Sequence, residues 1–190
     1  MHGSTILRVA GGARVTIPFQ IFERDFRSEG KTIEIEFATH NVKNYDDPII
    51  SCMSNERGIK ITSQEAVFKS EQTEKSIHFK EDEHVRLTYV VEKRSENRLI
   101  YTYINGIMSG IIQYPDVDDF SQINPVGISI GSSYATTDIY CIRVYNTNLN
   151  REQVLRNWIA DTQDVDEMLD RYARNNVLNE NGKVVINKLP

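Results

Sequence analysis

Two glutamates on one predicted strand are the nearest approach in this sequence to a pair of catalytic carboxylates. Glu34 and Glu36 alternate with the apolar residues of the run 33–37, so both project from one face of a strand, roughly 7 Å apart. A retaining glycosidase needs two carboxyl groups about 5–5.5 Å apart, beside the bond that it cleaves. We therefore expect Glu34 and Glu36 to face solvent, opposite a buried apolar face, and to take no part in catalysis.

No other catalytic constellation is visible in the sequence. The four histidines are scattered along the chain: His2, His40, His78 and His84. The chain has no H-E-x-x-H, no G-x-S-x-G and no glycine-rich phosphate loop, the motifs of zinc peptidases, serine hydrolases and nucleotide-binding proteins. Cys52 and Cys141 fit no metal-ligand spacing and lie in apolar runs, as small buried residues do, although a disulfide between paired strands stays open. We predict that the chain is not an enzyme.

Calcium binding is a separate hypothesis, because it requires only hard oxygen ligands gathered in a loop. Asp116, Asp118 and Asp119 lie close together in one loop-like segment, and Asp46 and Asp47 form a smaller cluster. The larger cluster is the better candidate, since one loop can bend several carboxylates around a single ion. Asp116, Asp118 and Asp119 are therefore candidate Ca²⁺ ligands, and the alternative is that they are solvated turn residues.

Tyrosines in loop-like segments are the candidates for sugar recognition, which uses aromatic rings beside fixed polar groups. Tyr45, Tyr114 and Tyr134 lie in such segments, and Asp47 is close to Tyr45 in sequence. These four residues form the predicted ligand-binding set. The only tryptophan, Trp158, lies on the apolar stripe of a predicted helix, and we expect it to be packed rather than exposed to sugar.

Composition limits the class of protein to which the chain belongs. It has 190 residues, a formal net charge of -5 and 39% hydrophobic residues, which suits one ordinary domain with a small appendage. No apolar run approaches the roughly 18 residues that span a bilayer, and no signal-peptide pattern is present. We predict neither membrane insertion nor nucleic-acid binding, since an acidic chain lacks the bulk positive charge that nucleic acid attracts.

Short strand-like runs separated by polar turns fill the sequence from about Thr5 to Tyr145. They comprise residues 33–37, 48–53, 59–62, 85–91, 98–104, 107–112, 126–131 and 139–145. Asn105-Gly106 predicts a tight hairpin, because a type I′ turn needs positive φ at both central positions. Many strands with no helix between them indicate an antiparallel sandwich or barrel. Tyr101 and Tyr103 alternate on one of these strands and line either a binding surface or a second core.

The pattern becomes helical near residue 150. Asn150 and Gln153 have the spacing of a capping box, and Leu149 can pack on Val154 as a hydrophobic staple. A second helical stripe follows from Asp164, and residues 177–186 resemble a small hairpin. The second stripe consists of Val165, Met168, Leu169 and Tyr172. We predict one domain over residues 1–160 and a helix-plus-hairpin extension over 161–190 that docks onto the sandwich or leads to a further domain.

Three parts of the sequence carry a family resemblance: residues 83–89 (EHVRLTY), residues 99–106 (LIYTYING), and residues 128–131 (ISIG) followed by 139–145 (IYCIRVY) and 149–154 (LNREQV). Together they resemble a laminin-G-like jelly roll of the concanavalin A-like lectin/glucanase superfamily. The resemblance covers roughly residues 15 to 158 and implies an all-β fold, an antiparallel two-sheet jelly-roll sandwich with a short C-terminal helical extension. It also implies a candidate Ca²⁺ site at the rim. The E-x-D-x-x-E string of the superfamily's glucanases is absent from this sequence.

The fold hosts both binding proteins and enzymes, so it does not fix one activity. In organisation the chain also resembles adhesion domains of bacterial surface proteins and phage tail proteins, which implies an extracellular, cell-surface or virion-associated location. We predict a non-catalytic recognition module, binding carbohydrate or a surface, excised from such a larger protein. The alternative is a structural domain that docks to a neighbouring domain or subunit through its C-terminal helices. A degenerate glycoside hydrolase is the third hypothesis.

Overall fold

The computed structural model describes residues 6–17, 30–54, 57–69, 74–80, 84–94, 97–115 and 127–161. These residues form twelve strands and one helix. The strands are β1 (Leu7–Val9), β2 (Val15–Ile17), β3 (Lys31–His40), β4 (Ile50–Ser54), β5 (Arg57–Ile61), β6 (Glu65–Lys69), β7 (Glu74–His78), β8 (Val85–Lys93), β9 (Asn97–Ile104), β10 (Ile107–Pro115), β11 (Ile128–Ile130) and β12 (Thr136–Tyr145), and the helix is α1 (Arg151–Asp161). In this part of the chain, no helix has the length and apolar character needed to cross a membrane.

The strands form two six-stranded antiparallel sheets, which confirms the predicted jelly-roll sandwich. The first sheet has the order β1-β12-β3-β8-β9-β10, and the second has the order β2-β11-β4-β5-β6-β7. The chain crosses between the two sheets several times, since β1 lies in the first sheet, β2 in the second and β3 again in the first. A short helix completes the fold.

Alternating side chains of the long strands fill the space between the two sheets. In β3, Ile33, Ile35 and Phe37 face this core and are buried. Leu87 of β8 and Ile61 of the second sheet lie in the same cluster. The period of two in a strand sends the intervening residues of β3 and β8 to the opposite face of the first sheet, which we call the outer face.

The ladders give the sandwich two distinct ends. We call the end where β3 finishes and β12 begins the upper end, and the opposite end the lower end. The β1–β2, β3–β4, β9–β10 and β11–β12 connections lie at the upper end, and the β4–β5 and β8–β9 connections lie at the lower end. At the β9–β10 turn, Asn105 and Gly106 have φ angles of 51° and 76°, which confirms the predicted hairpin.

Helix α1 begins with the predicted capping box and lies against the outer face. The backbone N–H of Gln153 donates to Asn150 Oδ1 at 2.8 Å, and the N–H of Asn150 donates to Gln153 Oε1 at 2.9 Å. Leu149 packs on the cluster that contains Val154, as the staple requires. Trp158 is buried, as expected from its place on the apolar stripe.

The prediction that Glu34 and Glu36 face solvent is wrong, because α1 covers this part of the outer face. We expected both side chains to face solvent, but only 0% and 5% of their surfaces are exposed. Tyr103, on the same face, is also buried and packs with Val90 and Val154, so it fills a second core rather than lining a binding surface. The outer face therefore packs against α1 through both polar and apolar side chains.

Both cysteines are free, which closes the question of a disulfide between them. Cys52 lies in β4 of the second sheet, and Cys141 lies in β12 of the first. The predicted second helix from Asp164 and the hairpin at 177–186 fall outside the described residues, and the boundary between 160 and 161 stays a prediction.

Candidate functional site

Two loops at the upper end bring three of the predicted ligand-binding residues onto one surface. The β3–β4 loop carries Tyr45 and Asp47, and the β11–β12 loop carries Tyr134. The backbone N–H of Lys43 donates to the carbonyl oxygen of Tyr134 at 2.8 Å. The hydroxyl of Ser132 donates to the Asp47 carboxylate. These two contacts join the loops, and we call Tyr45, Asp47 and Tyr134 the rim site.

The tyrosines of the rim site are unusually exposed for large aromatic side chains. The exposed fractions are 44% for Tyr45 and 46% for Tyr134. Ser132, in contrast, is fully buried, and its hydroxyl accepts the backbone N–H of Tyr134 at 2.9 Å. One buried hydroxyl thus fixes both the Asp47 carboxylate and the backbone of Tyr134, which holds the two loops of the rim site together.

The backbone beneath the rim site requires glycine at one position. Gly131 has a φ of 119°, and a Cβ atom there would lie 2.2 Å from the carbonyl oxygen of Ala13. The close approach brings the β1–β2 turn against the β11–β12 loop. Gly12 then donates its backbone N–H to the carbonyl oxygen of Ser132 at 2.8 Å. The β1–β2 turn therefore supports the loop that carries Tyr134.

Tyr114, the fourth predicted ligand-binding residue, does not belong to the rim site. Its backbone lies near the end of β10, paired with Arg98 at the start of β9, and this is the lower end of the sandwich. Asp116, Asp118 and Asp119, the predicted calcium ligands, lie outside the described residues. Within the described part of the chain, no group of three or more His, Cys, Asp or Glu side chains could hold a metal ion.

A buried ion network beneath α1 was not expected from the sequence. Arg86 donates from Nε to Glu36 Oε2 at 2.8 Å and from Nη2 to the same oxygen. The other carboxylate oxygen of Glu36 lies 2.6 Å from Nε2 of His84. Two further contacts tie Arg86 to the helix, one to the carbonyl oxygen of Asn157 at 2.9 Å and one to Asp161 at 2.8 Å.

Glu34 forms the second half of this network. It accepts hydrogen bonds from the Tyr145 hydroxyl at 3.0 Å and from Asn157 Nδ2 at 3.2 Å. The guanidinium of Arg143 lies 3.6 Å from Glu34 and also pairs with Asp161. Glu34 is therefore engaged by donors on β12 and α1, whereas Arg86 of β8 and His84 just before β8 engage Glu36.

The pKa of Glu36 is not shifted in the direction that a general acid needs. Burial alone would raise the pKa of Glu36, but hydrogen bonds from His84 and Arg86 outweigh burial and lower it. A general acid needs the opposite shift, since it must hold its proton near neutral pH. Burial also raises the pKa of the Cys141 thiol to about 11, which keeps it in the unreactive protonated form.

A second polar cluster lies on the outer face next to the upper end. Asp138, which is buried, accepts hydrogen bonds from Nε and Nη2 of Arg8, each at 2.7 Å, and lies 3.1 Å from Nε2 of His40. The hydrogen bonds from Arg8 lower the pKa of Asp138. Tyr140 and His84 stack nearby, with ring centroids 4.1 Å apart. We call these five residues the outer-face cluster.

Sequence reasoning assigned no site to the outer-face cluster. His40 and His84 were visible as isolated histidines beside predicted strands, but no local motif connects either of them to Arg8 or Asp138. The partners of Asp138 are separated from it by 130 and 98 residues along the chain. Only the pairing of β12 with both β1 and β3 brings them together.

No protein-family model matches the chain, and no curated protein matches it in sequence. Solved structures with a similar fold include a mutant of HCR/D, with a TM-score of 0.62 and 13% identity. They also include the binding domain of botulinum neurotoxin DC in complex with rat synaptotagmin II, with a TM-score of 0.56 and 18% identity. A third comes from work showing that botulinum neurotoxin type C depends on interaction with two ganglioside molecules to enter cells, with a TM-score of 0.57 and 18% identity.

Each of these matches covers 82% of this chain and 42% of the other chain. The chain thus spans about two fifths of the length of the structures that it resembles. At such low identities the likeness establishes the β-sandwich fold alone.

Proposed function

We propose that the chain is a non-catalytic recognition module that binds carbohydrate through the rim site. The observation that carries the proposal is the pair of half-exposed tyrosines, Tyr45 and Tyr134, on two loops that are hydrogen-bonded to each other. An aromatic ring can stack on the C–H face of a sugar while its hydroxyl remains hydrated. Asp47 adds a fixed acceptor for a sugar hydroxyl, since Ser132 holds its carboxylate in place.

Two further lines support a binding role. The structural neighbours include toxin binding domains, one in complex with synaptotagmin and one from work on ganglioside interaction. The three sequence stretches that resemble laminin-G-like domains support a placement in that superfamily and an extracellular, cell-surface or virion-associated role. A site built from two exposed rings and one carboxylate favours weak binding at each site, which a parent protein with many copies would strengthen through multivalency.

A glycan array with the purified chain, run in Ca²⁺ and again in EDTA, tests the proposal. We expect reproducible binding that Tyr45→Ala and Tyr134→Ala each reduce at least tenfold. Ile111→Ala is the matched control, because Ile111 is also an exposed large side chain but lies on β10, away from the rim site. A blank array under both conditions would contradict the proposed function. Binding that survives both tyrosine changes would show that the ligand contacts another surface.

A second candidate function, a structural domain in a larger assembly, is favoured by the edge strand β10. This strand is the last of the first sheet among the described residues. Its nine residues include no charged side chain, and Met108 and Ile111 are exposed. Natural edge strands usually carry charges that prevent pairing with another chain, as β7 does with Glu74 and Lys75.

Light scattering of the purified chain distinguishes the two candidates. A dimer that Ile111→Lys converts to a monomer, with a blank glycan array, would favour the assembly role. A monomer that binds glycan would favour the recognition role. The C-terminal surface predicted from Val165, Met168, Leu169 and Tyr172 lies outside the described residues.

A further inference from the structure

An irregularity in β12 gives the outer face an aromatic surface near the upper end. Ile139 pairs with Phe37 and Cys141 pairs with Glu36, so Tyr140 is an extra residue in the ladder. Such a β-bulge redirects a side chain, and bulges occur often beside functional sites. Here the ring of Tyr140 lies against the imidazole of His84, with an interplanar angle of 32°.

Two half-exposed imidazoles in the outer-face cluster are held from beneath by buried carboxylates. The exposed fractions of the side chains are 42% for His84 and 40% for His40, whereas their partners Glu36 and Asp138 are almost fully buried. An ionised carboxylate only accepts hydrogen bonds, so Nε2 carries the proton in each ring. The carboxylate therefore fixes the orientation of each ring and of its second nitrogen, Nδ1.

Arg8 provides hydrogen-bond donors beside these imidazole rings. Its side chain is mostly exposed, yet Nε and Nη2 are both bound to Asp138. A guanidinium has five N–H donors, so donors remain for a ligand after this pairing. Exposed ion pairs contribute little to stability, and the bidentate geometry does more to orient Arg8 than to stabilise the fold.

The charged groups of this surface are paired within it. Arg8 binds Asp138, and Arg86 binds Glu36 and Asp161. Sugar hydroxyls both donate and accept, and the C–H face of a sugar packs on aromatic rings, so oriented guanidinium and imidazole groups beside a tyrosine ring match an uncharged saccharide.

We propose that the outer-face cluster is a second ligand contact, separate from the rim site, that binds an uncharged saccharide unit through Tyr140, His84, His40 and Arg8. The choice of ligand class rests on the proposed function, whereas the location of the site rests on the geometry of β12. Binding needs little reorganisation, because the buried carboxylates already orient the polar groups.

Nuclear magnetic resonance of the full chain, labelled at histidine and tyrosine rings, tests this inference. The probes are glucose, galactose, mannose, N-acetylglucosamine and lactose at millimolar concentrations, with inorganic phosphate as the anionic comparison. We expect at least one saccharide to shift the ring resonances of His40, His84 and Tyr140 in a saturable way. Tyr140→Ala and Arg8→Met should each weaken this binding at least tenfold, whereas Ser76→Ala, at an exposed position on β7 of the second sheet, should leave it unchanged.

The outcomes separate this inference from the proposed function. Shifts at Tyr45 and Tyr134 alone would overturn the second contact and leave the rim site standing. Shifts at the outer-face cluster alone would support the second contact and contradict the rim assignment. Shifts of the histidine rings with phosphate and with no saccharide would show that the ligand class is wrong. No shift of either histidine ring with any probe overturns the inference, whatever the glycan array shows.

Discussion

At the scale of single residues, Arg86 shows how the first sheet and α1 depend on one buried charge. Its guanidinium is almost fully buried and contacts Glu36, Asp161 and the carbonyl oxygen of Asn157. The ring of Trp158 lies 5.3 Å from the guanidinium carbon and adds a cation–π contact. These partners compensate the buried charge of Arg86, which would otherwise be strongly destabilising.

Replacing Arg86 with methionine should therefore destabilise the chain strongly. We expect Arg86→Met to lower the free energy of unfolding by about 3–5 kcal/mol, since it leaves the Glu36 charge buried without its main partner. Urea denaturation followed by circular dichroism measures the loss. The control is Arg94→Met, which removes an exposed pair with Glu92 and should change stability far less. Equal effects of the two substitutions would contradict a buried network.

Two carboxyl groups of the same ion network should make the folded chain less stable at acidic pH. Burial opposes ionisation of both, but hydrogen bonds from His84 and Arg86 lower the pKa of Glu36, and Arg143 and Arg86 lower the pKa of Asp161. A lowered folded-state pKa means that the unfolded chain takes up protons first as the pH falls. Their contribution is complete above their usual pKa values of 4.5 and 3.8 and is lost as the pH falls below them.

Urea midpoints measured from pH 6 down to pH 3 check this sign. The stability of the unmodified chain should fall across the acidic part of the range, and Glu36→Gln should start lower and fall less steeply. Glu152→Gln, at an exposed position on α1, serves as the comparison and should follow the unmodified chain. A stability that rises towards pH 3 would contradict the assigned ion pairs.

At the scale of elements, α1 covers the outer face, and contacts between residues close together in the sequence determine where the helix begins. Removing either half of its capping box should cost about 1 kcal/mol, because a backbone N–H at the helix start loses its acceptor. Asn150→Ala and Gln153→Ala are the test variants, and Arg156→Ala, at an exposed position in the middle of α1, is the control. Thermal melts should rank the two cap variants below the control. Similar melting temperatures for all three would mean that packing alone holds the helix.

The difference between local and distant contacts explains how much of the fold was readable from the sequence. The capping box and the Asn105-Gly106 turn involve neighbours in the chain, and the structure confirms both. The burial of Glu34 depends on Asn157, which is 123 residues away. Alternation predicted correctly which face Glu34 occupies, but not that a helix returns to cover that face.

The candidate site also combines features that the sequence shows locally with contacts between distant residues. Residue type identified Tyr45, Asp47 and Tyr134, but their grouping depends on the bond between Asp47 and Ser132, which are 85 residues apart. Tyr114 was predicted to lie in a loop-like segment, but β10 continues through Pro115, and the hairpin that turns at Asn105-Gly106 carries residue 114 away from the rim site. The outer-face cluster had no local signal, since a β-bulge places Tyr140.

At the scale of the whole molecule, the described residues contain two hydrophobic clusters and an ion network that joins the first sheet to α1. The large cluster lies between the sheets, and the smaller one lies between the first sheet and the helix. Asp161, at the end of α1, pairs with Arg86 and Arg143. Asp161 therefore takes part in the packing of α1 on the first sheet, and the domain boundary between residues 160 and 161 stays a prediction.

A chain truncated after Asp161 should keep the melting temperature and the glycan binding of the full chain, because every contact described above is retained. A chain truncated after Asn157 is the matched comparison. It lacks Trp158 and Asp161, so it exposes the indole's packing site and leaves Arg86 with one fewer carboxylate, and it should melt at a clearly lower temperature. Differential scanning calorimetry and the glycan array measure the two properties on the same samples. If the chain ending at Asp161 melts as early as the chain ending at Asn157, residues 162–190 belong to the sandwich rather than to a separate extension.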